Sequence, residues 1–263
     1  MYFDEVQKPT IKIDDHKDIA TFLVNDCPCP SKITKDSFAT YRMWNTINTL
    51  NASVKNKLLQ KTLDAVNDTN YDQLRGAIAC LVAAGASVDQ SETDNEEICA
   101  LARAASYEDY PMAEFLLQNG ADPNRVNYDK PLLFWLESYR FVKLFVKYKL
   151  DPHAKDDLNN SIFHWLTVDS DYPSSLISYY FNLGVDIHHK NENGDTPLMH
   201  CALHSSDYDD ESEIKQLIEK AKLFIKYGIS ITETNNTNHS VLDILADLPT
   251  YPLTRELAPL KNS

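Results

Sequence analysis

Five short turns recur along the chain, and they constrain its fold more than any bulk property does. They read Gly85-Ala86-Ser87-Val88-Asp89, Gly120-Ala121-Asp122-Pro123-Asn124, Lys149-Leu150-Asp151-Pro152-His153, Gly184-Val185-Asp186-Ile187-His188 and Gly228-Ile229-Ser230-Ile231-Thr232. Their first positions lie 35, 29, 35 and 44 residues apart. Each turn follows a run with apolar residues at helical spacing, such as Met112, Phe115, Leu116 and Leu117 before Gly120. Glycine there lets a helix end in a left-handed residue, a conformation that costs a residue bearing a Cβ energy and glycine almost none. Four of the six glycines are used this way. Lys149 stands where the others have glycine, which predicts a less favourable helix end or a different C-cap. A period of this length, built on helix pairs, predicts units that bury their apolar stripes against one another.

The first halves of the units carry a second signature. Thr196-Pro197-Leu198-Met199-His200-Cys201-Ala202 follows Asn193-Gly194-Asp195; threonine caps a helix, and proline sits in its first turn, where no intrahelical donor is lost. Lys130-Pro131-Leu132-Leu133 keeps the proline, Ser161-Ile162-Phe163-His164 a capping hydroxyl and the histidine, Ser240-Val241-Leu242-Asp243 the cap alone, and Glu97-Ile98-Cys99-Ala100 least of all. The two motifs in phase resemble the ankyrin repeat, whose units read Gly-x-Thr-Pro-Leu-His-x-Ala. Met199, not His200, then takes the family's histidine position.

The resemblance implies an all-α fold: an ankyrin-repeat solenoid of helix-turn-helix units with short hairpin turns over residues 70–248. A helical N-terminal cap would occupy residues 1–69, and a C-terminal cap and tail residues 249–263. Within the cap, Ser37 to Val66 reads as one or two helices with Phe38, Trp44, Ile47, Leu50, Leu58, Leu59 and Leu63 facing inward. Pro249, Pro252 and Pro259 limit the other end to a short helix around Thr254–Ala258.

In that family the usual binding surface is concave, made of hairpin tips and the exposed face of the inner helices. The resemblance therefore places Leu101, Phe134, Trp165, His200 and Ile244 in one column, flanked by tips that include Tyr128 and Asp129. Packing of Phe134 and Trp165 against neighbouring inner helices is the competing expectation. The helix connections depart from the family, which usually has glycine there. They carry Asp109-Tyr110, Asp171-Tyr172 and Asp207-Tyr208 instead. Tyrosine beside carboxylate across successive units would form a ridge that grips Arg or Lys of a partner; turn residues facing solvent are the alternative. The connection at Glu137-Ser138-Tyr139-Arg140, in the unit of 29, must be tight, whereas the unit of 44 has extra residues at about 205–219 to lengthen a connection or an outer helix.

Charge and cysteine usage narrow the function. A net charge of −14 disfavours a nucleic-acid binder and an anionic membrane surface, and favours encounter with basic partners. Five cysteines form no even framework, which fits a reducing cytosol. Cys27-x-Cys29 is too short for common zinc spacings, and His188-His189 reads as a solvated turn. The opening residues lack the apolar run of a secretory signal, and Ile78 to Ala86, the longest uncharged apolar stretch, falls far short of a bilayer span. No nucleophile elbow, phosphate loop or metalloprotease helix is present; a cysteine nucleophile paired with His16 or His164 is left open. The expected role is a monomeric protein–protein interaction module, an adaptor or competitive binder, without catalytic residues, metal or cofactor. An array of this kind also resembles effectors that intracellular bacteria deliver into host cytosol. The second reading is an enzyme whose site lies in residues 1–69 and whose repeats present the substrate.

Overall fold

The computed structural model describes residues 44–67, 70–89, 99–127, 130–168, 172–207 and 210–262. Two compact units divide the chain, one of residues 1–104 and 109–121 and the other of residues 105–108 and 122–263. Among the described residues the architecture is all-α, and the strands consist of one two-residue pair, Val126–Asn127 against Lys130–Pro131. None of the described helices is long and apolar enough to cross a membrane.

In the first unit, α1 (Trp44–Thr49), α2 (Ala52–Asp64) and α3 (Tyr71–Ala83) precede the first five residues of α4 (Ala100–Ser106), whose last two belong to the second unit, and α5 (Tyr110–Gln118). Asn51 starts α2 by accepting a hydrogen bond from the Val54 N–H at 2.9 Å. Helices α2 and α3 pack against each other, and α3 packs against α5. Ala77 through Val82 are all buried, so α3 is apolar around its circumference, as a helix covered on several sides must be. Ile47, Leu58, Leu59 and Leu63 point inward as expected, whereas Trp44 and Leu50 are half-buried and Phe38 lies outside the described residues. Lys55 is buried too; its Nζ donates to Ala84 O at 2.8 Å, tying the start of α2 to the end of α3.

The second unit continues with a 3-10 turn at Leu132–Trp135, then α6 (Tyr139–Lys147), α7 (Ile162–Trp165), α8 (Ser175–Asn182), α9 (Pro197–Leu203), α10 (Glu211–Lys226), α11 (Val241–Ile244) and α12 (Pro252–Leu257). The short inner segments touch in chain order: Leu132–Trp135 meets α7, α7 meets α9, and α9 meets α11. The longer helices do the same, with α8 against α10 and α10 against α12. Phe145, Phe163, Tyr180 and Phe224 are fully enclosed between these rows, and Phe163 meets Phe224 edge to face at 6.2 Å. Burial of each such ring stabilises the fold by roughly 2–3 kcal/mol. The added length of the last long unit goes into its outer helix, because α10 has 16 residues where α6 has 9 and α8 has 8. Only Leu136 to Ser138 separate the 3-10 turn from α6, so that connection is as tight as the spacing requires.

One backbone motif ends α3, α5, α6, α8 and α10. The residue after each left-handed position returns its N–H to the carbonyl five residues earlier: Ala86 to Leu81, Ala121 to Leu116, Leu150 to Phe145, Val185 to Tyr180 and Ile229 to Phe224, at 2.9 to 3.2 Å. Lys149 does not change this geometry; it adopts it, at φ 72°. The left-handed region costs a side-chain-bearing residue roughly 1–2 kcal/mol. Lys149→Gly is therefore expected to stabilise the protein by about 0.5–1 kcal/mol, after allowing for the greater freedom of glycine in the unfolded chain. A rise in the urea midpoint at unchanged slope would record it, and Gly120→Ala is expected to move the midpoint the other way.

Candidate functional site

Trp165 closes the short helix α7, where a four-residue helix leaves the indole half-buried. Three neighbours fix it. Phe134 stacks beneath it with ring centroids 5.4 Å apart and planes 18° from parallel. Lys130 Nζ lies 4.1 Å above the ring, and the indole Nε1 donates to Asp156 Oδ2 at 2.9 Å. Asp156 is in turn held by its own hairpin tip, accepting from the N–H groups of Leu158 and Asn160. Phe134 is 4 % exposed, so of the two aromatics expected on an open face, only Trp165 keeps solvent-exposed surface. Val126, in the two-residue strand, and Leu203, at the end of α9, are large apolar residues 39 % and 47 % exposed.

The next inner helix contributes His200, half-buried, with its Nδ1 3.0 Å from Thr167 Oγ1. Thr167 gives its own proton to His164 O at 2.6 Å, so the hydroxyl accepts from the imidazole. Burial, followed by the neighbouring His204 and His164, lowers the His200 pKa to about 4. His164 lies deeper. Its Nε2 faces Asp195 O at 3.0 Å and must donate, while its Nδ1 faces the Ser161 N–H at 3.2 Å and must accept. That pair of contacts fits a neutral ring only, and burial likewise lowers the His164 pKa to about 4. Met199 occupies the matching place one unit later, where its Sδ meets the Thr196 N–H at 3.5 Å.

Alongside these helices the hairpin tips form a polar ladder. Asp156, Asn191 and Asn235 each accept from two backbone N–H groups of their own tip. Asn191 Nδ2 donates to Asn160 Oδ1 at 2.9 Å and Asn235 Nδ2 to Asp195 Oδ1 at 2.7 Å, joining each tip to the one before. Gly194 belongs to this ladder: at φ 76°, a Cβ there would lie 2.9 Å from the backbone nitrogen of Asn236. These ladder residues are missing from the sequence-based site. Their spacing is the signal that finds them, since 156, 191 and 235 repeat the steps of 35 and 44 that separate Lys149, Gly184 and Gly228.

The structure corrects the exposure expected of the Asp-Tyr pairs. Asp109 is 8 % exposed and caps α5 through the Met112 N–H. It also accepts both Nε and Nη2 of Arg75, at 2.6 and 2.7 Å, and the hydroxyl of Tyr71 at 3.0 Å. Tyr172 is 5 % exposed, and its hydroxyl donates to the Phe134 carbonyl. A partner cannot stack on either residue, because both are spent as internal braces. Tyr110 is half-buried at the start of α5. Tyr128, Asp129, Asp171 and Tyr208 lie outside the described residues, as do His16, Cys27 and Cys29; Asp207 ends the 3-10 turn Ser205–Asp207.

Nucleophilic cysteine chemistry finds no partner in His164, whose two ring nitrogens are both engaged. Cys80, Cys99 and Cys201 are buried free thiols, and burial pushes Cys201 up to about 12. Among the described residues no group of three or more His, Cys, Asp or Glu is arranged to hold a metal ion.

Two outcomes follow from these contacts. Asp109→Ala leaves the Arg75 cation without its bidentate carboxylate in a largely buried place and is expected to cost roughly 3 kcal/mol, read as a lower urea midpoint. The buried histidines make stability depend on pH. Their folded pKa of about 4 lies below the ordinary 6.5, so the unfolded chain takes up protons first as pH falls. Their contribution is complete above about pH 6.5 and is lost progressively towards pH 4. The stability gap between wild type and His164→Met is expected to narrow from pH 7 to about pH 4.5, measured by urea unfolding at each pH.

The family model described as ankyrin repeat matches residues 98–128. No curated protein matches the chain.

Proposed function

From the premise that the chain belongs to the ankyrin repeat family, whose repeats bind other proteins, we propose that it acts as a protein–protein interaction module and performs no catalysis. In this reading residues 70–248 form a solenoid of repeats, residues 1–69 an N-terminal cap, and residues 249–263 a C-terminal cap and tail. Support for the extended array comes from the five helix ends with one hydrogen-bond pattern. The module works as an adaptor or a competitive binder, as a monomer, and in a reducing cytosol, a setting that suits buried free thiols. A chain rich in Asn, Lys, Ile and Tyr suits an intracellular bacterium as its source and host cytosol as its place of action.

The observation that carries the reading is the setting of Trp165. Interfaces draw most of their energy from a few aromatic or Arg anchors held rigidly before the partner arrives. Trp165 is stacked, hydrogen-bonded and covered by a cation, so little freedom remains to be lost on binding. His200 on the next inner helix and the tip residues Tyr128 and Asp129, adjacent in sequence to Lys130, complete the proposed surface. The acidic balance of the chain favours a partner with a basic face.

Proximity labelling in a host cell, with the full chain as bait, tests this. The double variant Trp165→Leu, His200→Ser, at unchanged helical content, is expected to lose at least about tenfold of the labelling of specific neighbours, the scale of two interface anchors. An identical set of labelled proteins at identical yield would remove this surface from the account.

A further inference from the structure

Five of the eight histidines fall within residues 164–204, and the side chains of four stand in a row. By ring centroids His189 lies 6.0 Å from His164, His164 5.5 Å from His200, and His200 4.6 Å from His204. Three of them make contacts that cross one seam, between residues 155–167 and residues 189–204. His164 Nε2 donates to Asp195 O, and His200 Nδ1 meets Thr167 Oγ1. His189 Nε2 lies 2.9 Å from Asn159 O, with its Nδ1 3.3 Å from Lys155 Nζ. The next seam differs: Met199 stands where His164 does, and its tips are joined by Asn235 Nδ2 to Asp195 Oδ1 and by the Asn236 N–H to Asn193 O.

A second proton on His164 would sit on Nδ1, against the Ser161 N–H at 3.2 Å, and that hydrogen bond would be lost. An imidazolium at His189 would face the Lys155 ammonium, and any two charged rings of the row would repel each other. Burial is the main cause that keeps His164 and His200 titrating near 4, with His189 opposing charge on the first ring and His204 and His164 on the second. Asp156 and Asp195 act the other way, but Asp156 is held by the Trp165 indole and Asp195 by Asn235. Around these rings, the turn Leu132–Trp135 carries no titratable group, α10 brings Lys220 beside Cys201, and α11 brings Asp243, which accepts from Ser240. We infer that this seam is an acid-sensitive joint: protons taken up by the imidazole row part α7 from the tip before α9 and open the second unit there, while the helices on either side stay formed. The joint works whatever the chain binds, and so goes beyond the interaction-module reading.

Native-state hydrogen exchange of the full chain at pH 7.5 and pH 5.0 tests this, each amide being referred to its unprotected rate at that pH. A histidine with a folded pKa of about 4, freed to the ordinary 6.5, favours the open form about 25-fold more at pH 5.0 than at pH 7.5. With two such rings, the amides of α9 are expected to lose at least about a hundredfold of their protection. Those of α2 and α3, in a unit whose described residues contain no histidine, should lose less than about fivefold. His200→Gln, which keeps a donor for Thr167 at a half-buried position, should shrink the α9 loss by about tenfold. Adding His164→Met, the residue type already found at the matching place one unit later, should bring it below about tenfold. An equal loss in α2 and α3 would mean that acid unfolds the chain as a whole, and an undiminished loss in His200→Gln would put the effect on other groups. Either result, or unchanged protection of α9 at pH 5.0, overturns the joint.

Discussion

The left-handed residue at the end of each long helix is the constraint on which the remaining structure depends. It places the next N–H against a carbonyl five residues back and reverses the chain at a fixed angle. The buried residue that follows, Ala86, Ala121, Leu150, Val185 or Ile229, is thereby turned into the core at every unit. Without that reversal the polar turn after it, in which Asp122, Asp151 and Asp186 each accept a backbone N–H two residues on, could not form at the same place in successive units. Lys149 shows how strong the demand is, since the backbone keeps its course even where the residue resists it.

A second demand arises at the hairpin tips. They are irregular, so their backbone groups have no helix or sheet to satisfy them, and buried polar groups without partners destabilise a fold. Asp156, Asn191 and Asn235 meet that demand within each tip, and Asn160 and Asp195 receive the bonds from the following tip. Polar residues on this edge are thus largely committed to structure. In the surface proposed for a partner, the groups outside that ladder are chiefly the half-buried indole of Trp165 and the cation above it.

How much was legible follows from the range of each interaction. Helix ends are local: a glycine and the apolar stripe before it lie within one turn of each other, and all five ends are readable from sequence. The family match at residues 98–128 falls on a unit whose first half, around Glu97-Ile98-Cys99-Ala100, is eroded, but whose second half keeps Leu116-Leu117 and Gly120-Ala121-Asp122-Pro123-Asn124 intact. Burial of Asp109 and Tyr172 is not local. The partner of Asp109 is Arg75, 34 residues earlier, and the partner of Tyr172 is a backbone carbonyl, which carries no sequence signature at all. Turn composition suggests solvent for both, and long-range pairing overrides it. Lys55 and Lys220, 8 % and 1 % exposed, are the same lesson in cations.

The departures from the repeat also cluster for a physical reason. The unit of 29 residues contains the lysine in the left-handed position, the 3-10 turn in place of an inner helix, the tightest connection and a cavity beside it. A shorter unit must still span the same distance between its neighbours if their inner and outer rows are to meet, and Leu132–Trp135 does still meet α7. A 3-10 turn rises more per residue than an α-helix, so four residues reach further at the cost of poorer hydrogen bonds and less lateral bulk. The loss of bulk leaves space that the neighbouring side chains do not fill. Length, secondary structure and the cavity are therefore one economy of residues expressed three times.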